Sequence, residues 1–116
     1  MVAAETEIQR IVKEYIAKLA PEIRVRKVIL FGSYAHGSPD EWSDIDIAVI
    51  SEDLDHLDPV RRVELLAVKK LSCDSRLGVL GYGLKEYEHA DHLTFLGEIK
   101  RTGKVIWEAE DGLGQD

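Results

Sequence analysis

The chain has 116 residues, with 15 lysines and arginines against 22 aspartates and glutamates, which gives a formal net charge of −7 at pH 7. This length suits one domain, and the acidic balance argues against a broad nucleic-acid surface, because neutralising phosphates requires many basic side chains. The single cysteine, Cys73, excludes an internal disulfide, and no uninterrupted apolar stretch exceeds the four residues of 28–31, too few to cross a bilayer. With no secretory leader at the N-terminus, we expect a cytoplasmic domain.

The first half of the chain predicts a helix, a strand, a loop and a second strand. Apolar residues recur at helical spacing over residues 8–19, and Pro21 ends this helix because the residue before a proline avoids the helical conformation. Residues 25–31 are typical of a buried strand. The Gly-, Ser- and Pro-containing stretch 32–43 predicts a loop, and residues 44–50 alternate and then become wholly apolar, as a second strand would.

A second long helix and a weaker third strand are predicted next. Asp58 followed by Pro59 is a favourable cap and first-turn pair, which predicts that the helix begins here. Residues 73–80 then predict the third strand. The residues of this helix expected to face the core are Val63, Leu66, Ala67 and Leu71.

The last part of the chain predicts one more helix, capped by Asp91 and stopped by Gly103, and a short edge strand at 104–107. Leu93, Leu96 and Ile99 would be its apolar positions. Residues 108–116 are acidic and contain glycine, so we expect a flexible tail and place the domain at 1–107. The order of elements predicts an α/β (α+β) fold, a small mixed β-sheet with helices packed mainly on one face.

A pair of carboxylates stands at the start of the second predicted strand. Side chains of a strand alternate between faces, so Asp44 and Asp46 point the same way. Two neighbouring carboxylates repel each other, and a divalent cation removes this conflict. Mg²⁺ suits the pair, because it typically binds one or two carboxylates together with substrate phosphates.

Gly32 and Ser33 follow the first predicted strand directly and complement the carboxylates. A glycine lets a phosphate approach the backbone closely, and the serine hydroxyl can add a hydrogen bond. A phosphate-binding loop facing a carboxylate pair is the arrangement that metal-assisted phosphoryl or nucleotidyl transfer requires.

Gly32-Ser33, ten residues and then Asp44-Ile45-Asp46 resemble the GS-x10-D-x-D signature of the polymerase β nucleotidyltransferase superfamily, and the short chain resembles its minimal nucleotidyltransferase (MNT) branch. The resemblance implies a mixed sheet, a nucleoside triphosphate substrate held with two Mg²⁺, and transfer of a nucleoside monophosphate, AMP from ATP. It implies a nucleotide site at Gly32, Ser33 and the turn residue Ser43. Many minimal members resemble antitoxins that modify a neighbouring HEPN toxin.

The third carboxylate of such a site is the point on which this sequence departs from the signature. Asp74, which opens the third predicted strand, is the only carboxylate between Glu64 and Glu86. Related minimal proteins carry an acidic residue nearer the middle of the strand, where this chain has Gly78. Two alternatives therefore stay open: Asp74 completes a catalytic metal site with Asp44 and Asp46, or the third ligand is missing.

The motifs and the resemblance together imply a Mg²⁺-dependent nucleotidyltransferase that modifies a hydroxyl on a partner protein or a second subunit. The resemblance implies a HEPN toxin tyrosine as the acceptor. The alternative is a catalytically degenerate antitoxin that binds nucleotide or covers its toxin. No membrane partner is expected.

Overall fold

The computed structural model describes residues 4–37, 39 and 44–109. Within these residues the chain forms four helices and four strands, and two short 3₁₀ turns follow β1 and β2 at Gly32–Tyr34 and Glu52–His56. In chain order the elements are α1 (Glu5–Leu19), β1 (Lys27–Phe31), β2 (Ile45–Ser51), α2 (Pro59–Lys70), β3 (Leu77–Gly83), α3 (Leu84–Glu88), α4 (Phe95–Thr102) and β4 (Lys104–Glu108).

The four strands form one mixed sheet in the order β3-β2-β1-β4. β1 runs antiparallel to both β2 and β4, whereas β2 and β3 are parallel and are connected through α2. This confirms the predicted mixed sheet. It also places the end of β1 and the beginnings of β2 and β3 at the same edge of the sheet, with β2 in the middle.

The two long helices, α1 and α2, cover one face of the sheet, and the short helices α3 and α4 lie on the other. Most helical residues therefore pack on one face, as predicted. Alternation along β2 separates the two cores. On the face of α1 and α2 lie Ile45, Ile47 and Val49, and on the face of α3 and α4 lie Asp46, Ala48 and Ile50.

α1 and α2 are joined by a buried hydrogen bond. The hydroxyl of Tyr15, which is fully buried in α1, donates to the carbonyl oxygen of Leu66 at 2.8 Å. α2 begins as predicted, because the Asp58 carboxylate accepts the backbone N–H of Arg61 at 3.0 Å.

The predicted buried face of α2 is wrong at three of its four positions. Leu66 is buried, but Val63 is 66% exposed, Leu71 is 83% exposed and Ala67 is also exposed. The reason lies in β3, an edge strand, where α2 packs closely through Leu66: a Cβ atom on Gly81 would lie 2.4 Å from Leu66 Cδ1. Val63 and Ala67 instead line an open groove between α2 and this edge strand, together with Val79 and Leu80.

The C-terminal part also differs from the sequence prediction. α4 is capped by Thr94, whose hydroxyl accepts the N–H of Gly97 at 3.0 Å, while Asp91 closes the preceding turn and Leu93 is 83% exposed. Glu108 belongs to β4 rather than to the predicted tail. The backbone N–H of Ala109 donates to the carbonyl oxygen of Arg26 at 2.9 Å, and the rest of the predicted tail, 110–116, lies outside the described residues. None of the helices in the described ranges combines the length and apolar character of a membrane span.

Candidate active site

Asp44 and Asp46 stand where three strands meet. Asp44 is exposed just before β2, and Asp46 is partly buried as the second residue of that strand. On one side Asp46 pairs with Phe31, the last residue of β1, and on the other with Gly78 of β3. The antiparallel pairing gives Phe31 and Asp46 the same face of the sheet.

The Asp46 carboxylate lies between two glycines. A Cβ atom on Gly32 would lie 2.6 Å from Asp46 Oδ2, and one on Gly78 would lie 2.8 Å from Oδ1. Both distances are too short for any ordinary side chain. The carboxylate therefore occupies space that exists because β1 ends in a glycine and β3 carries one opposite Asp46.

The electrostatics of Asp46 disfavour its charged form. Burial is the main cause that raises the pKa of the Asp46 carboxyl, and the neighbouring Asp44 carboxylate raises it further. Among the residues that the structure describes, no cationic side chain pairs with it. Two carboxylates without a compensating cation are the donor set that a divalent cation fits.

Gly32 begins a sharp turn directly after β1. Its φ of +75° is a left-handed conformation that suits glycine, and its carbonyl oxygen accepts the N–H groups of Ala35 and His36 at 3.0 and 3.1 Å. Ser33 follows within this 3₁₀ turn and is partly buried. The structure thus brings Gly32 against Asp46, with Ser33 next to it. Ser43 lies outside the described residues.

Asp74 is engaged elsewhere. Its carboxylate accepts the Arg76 side chain at two points, 3.0 Å from Nε to Oδ1 and 2.9 Å from Nη2 to Oδ2. These hydrogen bonds lower the pKa of Asp74 to about 2. Arg76 also contacts Glu7 of α1 at 2.9 Å. In the described part of the chain, Asp44, Asp46 and Asp74 do not form a three-carboxylate metal group.

An aromatic pair beside the carboxylates was missed by the sequence reasoning. The rings of Phe31 and Phe95 meet edge to face, with centroids 5.8 Å apart and planes at 85°. Phe95 begins α4 and is nevertheless 55% exposed. The sequence signal was weak, since Phe95 looks like one more apolar residue of the last helix.

Comparison with known proteins agrees with this geometry. Residues 10–112 match the family model for polymerase beta, nucleotidyltransferase. Two relatives come from Methanocaldococcus jannaschii. "Putative protein adenylyltransferase MJ0604" is 40% identical over 52 residues, covering 42% of this chain and 52% of the relative. "Putative protein adenylyltransferase MJ0126" is 29% identical over 69 residues, covering 60% and 65%. The chain therefore spans about half to just under two thirds of these relatives.

Solved structures share the fold. A "putative nucleotidyltransferase from Sulfolobus solfataricus" superposes with a TM-score of 0.67 at 16% identity, covering 90% of this chain and 83% of that one. A toxin–antitoxin crystallised with AMP-PNP has a TM-score of 0.57 at 28% identity, covering 84% and 73%. A mutant of the toxin–antitoxin MntA-HpeT has a TM-score of 0.56 at 28% identity, covering 85% and 73%. Since the family model matches nearly the whole chain, the chain belongs to the polymerase beta nucleotidyltransferase family.

Proposed function

We propose that this chain transfers AMP from ATP to a hydroxyl group of a partner protein, with Asp44 and Asp46 holding Mg²⁺ and Gly32 and Ser33 binding the phosphates. The observation that carries the proposal is the Asp46 carboxylate, which lies against Gly32 and beside Asp44 without a cationic side chain among the described residues. The family and the names of the relatives support this choice of chemistry.

The step requires little covalent chemistry from the protein. The acceptor oxygen forms a bond to the α-phosphorus of ATP, the bond from this phosphorus to the bridging oxygen breaks, pyrophosphate leaves, and the hydroxyl proton passes to solvent. Bound Mg²⁺ would neutralise charge on the phosphates. Gly32 contributes close approach to the backbone, and the Ser33 hydroxyl contributes a hydrogen bond that orients the phosphates.

The base of the nucleotide is proposed to stack on Phe95. This ring is more than half exposed, and it is held by Phe31, whose side chain shares a sheet face with Asp46. An exposed aromatic ring near a phosphate site is a suitable platform, because every base offers an apolar face.

A toxin is the partner that the structural relatives favour, since two of them are toxin–antitoxin structures. The exposed apolar residues of α2 supply a surface on which a protein partner can pack: Val60 is 67% exposed and Val63 is 66% exposed. We propose a HEPN-type toxin with an acceptor tyrosine as this partner.

A second candidate function is nucleotide binding without transfer, in an antitoxin that neutralises its toxin by covering it. The pairing of Asp46 with Gly78 favours it, because β3 offers no carboxylate at this point. In this case Mg²⁺–ATP binding would persist while transfer is absent.

The experiment that separates the two candidates mixes the chain with the protein encoded beside it and ATP labelled at the α-phosphate. Covalent label on the partner, lost in Asp44→Asn and Asp46→Asn, supports transfer. ATP labelled at the γ-phosphate should leave no label on the partner, because the γ-phosphate leaves with pyrophosphate. Magnesium-dependent ATP binding without any labelled protein would favour the covering antitoxin, and ATP binding that is equal in EDTA and in Mg²⁺ would contradict both.

A further inference from the structure

The position opposite Asp46 on β3 is filled by the Asp46 carboxylate itself. Asp46 and Gly78 are register partners on parallel strands, and Oδ1 of Asp46 lies 2.8 Å from where a side chain on Gly78 would begin. Any other residue at 78 would have to displace this oxygen. Because a carboxylate tip can rotate, the displacement would change the direction of the carboxylate more than the stability of the fold.

The other oxygen of the Asp46 carboxylate, Oδ2, is confined in a similar way. Gly32 approaches Oδ2, so the two oxygens of Asp46 each lie against one glycine. The carboxylate is therefore confined from the β1 side and from the β3 side. Asp44, two residues earlier and just before β2, is exposed.

The carboxylate that precedes β3 in the sequence, Asp74, does not compensate for the glycine. Asp74 is held by Arg76, and within the described ranges Asp44 and Asp46 are joined by no third carboxylate, histidine or cysteine. A second divalent cation would need such a ligand to balance its charge beside the first.

We propose that Gly78 is a positioning residue whose missing side chain makes room for the Asp46 carboxylate, so that β3 supplies no metal ligand and Asp44 and Asp46 hold a single divalent cation. The inference rests on the proposed function, since it concerns the same site. The inference differs from the proposed function in a measurable quantity, the number of cations bound per chain.

The test is a Mn²⁺ titration followed by the electron paramagnetic resonance signal of free Mn²⁺, with an ATP analogue that carries a methylene group between the α- and β-phosphates. The wild-type chain should bind one Mn²⁺. Gly78→Ala should lower the affinity roughly tenfold to hundredfold, as loss of ligand positioning does. Leu80→Ala, on the same strand and also opposite β2, is the control and should leave the affinity unchanged.

A double-mutant comparison separates positioning from general damage. Gly78→Ala should have no further effect on Mn²⁺ affinity or on the melting temperature when Asp46 is already alanine, because the contact partner is gone. An effect of Gly78→Ala that is equally large in both backgrounds would overturn the positioning role.

The cation count needs no variant at all. Two Mn²⁺ per wild-type chain would overturn this inference and leave the proposed function standing. A wild-type chain that binds no Mn²⁺ would overturn both. Wild-type affinity in a folded Gly78→Ala variant would also overturn the inference.

Discussion

Asp74 and Arg76 form a two-point ion pair at the entrance to β3, and Arg76 extends it to Glu7 of α1. The Asp74 carboxylate also accepts the backbone N–H of Arg76 at 2.9 Å. All of these hydrogen bonds to the Asp74 carboxylate come from protein groups and involve no metal. The arrangement fixes the chain before β3 to α1, which is a structural role different from the metal-ligand role that the sequence allowed for Asp74.

We predict that Asp74→Asn lowers stability but leaves nucleotide and metal binding within about twofold. The pKa of Asp74 is lowered to about 2, so the stabilisation is complete above the unfolded-state pKa of about 4 and is lost as the pH falls towards 2. At neutral pH the loss should be about 1 kcal/mol, since the pair is partly exposed to solvent.

Urea unfolding at pH 7 and at pH 2.5 measures this effect. The difference between wild type and Asp74→Asn should shrink at the lower pH. A tenfold loss of Mg²⁺–ATP affinity in a folded Asp74→Asn protein would instead restore Asp74 as a metal ligand.

Asp46→Asn should have the opposite effect on the metal-free protein. Its carboxylate is partly buried and faces the negative charge of Asp44, so replacing it with a neutral side chain of the same shape removes repulsion and desolvation. We expect a gain of about 1 kcal/mol or less in EDTA at pH 7. Thermal unfolding measures it, and Mg²⁺ with ATP should raise the melting temperature of the wild type but not of the variant. A lower melting temperature for Asp46→Asn in EDTA would show that the carboxylate is structural.

The sequence predicted the strands and motif residues that build the site better than it predicted the contacts that these residues make. The spacing of Gly32, Ser33, Asp44 and Asp46 is local information, and apolar patterning identified β1 and β2, the strands next to which these residues lie. The register of β2 on β3 depends on the packing of the whole sheet, so the opposition of Asp46 and Gly78 needed the structure. The sequence also could not show whether Asp74 pairs with Arg76 or binds a metal, because both hypotheses are compatible with the same residues.

α2 provides a comparison of buried and exposed positions on one helix. Leu66 is 4% exposed and packs on Gly81, whereas Val63, three residues earlier, is 66% exposed. Leu66→Ala should cost about 2–5 kcal/mol because it leaves a cavity in the core. Val63→Ala should stay within about 0.5 kcal/mol. Denaturant unfolding of both variants checks this, and equal losses would contradict the observed orientation of α2.

The exposed ring of Phe95 gives the sharpest test of the nucleotide orientation. If the base stacks on Phe95, Phe95→Ala should weaken ATP binding by about 1–3 kcal/mol, as loss of one base–aromatic contact does. Leu93→Ala is the matched control, because Leu93 is a still more exposed apolar residue two positions away, at 83%. It should leave ATP affinity unchanged.

Two further measurements distinguish stacking from damage to the aromatic pair. Phe95 also contacts Phe31, so its removal can disturb the strand next to Asp46. Inorganic triphosphate with Mg²⁺ has no base, and its affinity should be the same in wild type and Phe95→Ala; Phe95→Trp, which keeps a ring, should retain ATP binding. Calorimetry with both ligands decides the matter: if triphosphate loses as much affinity as ATP, Phe95 supports the carboxylates through Phe31 and does not bind the base.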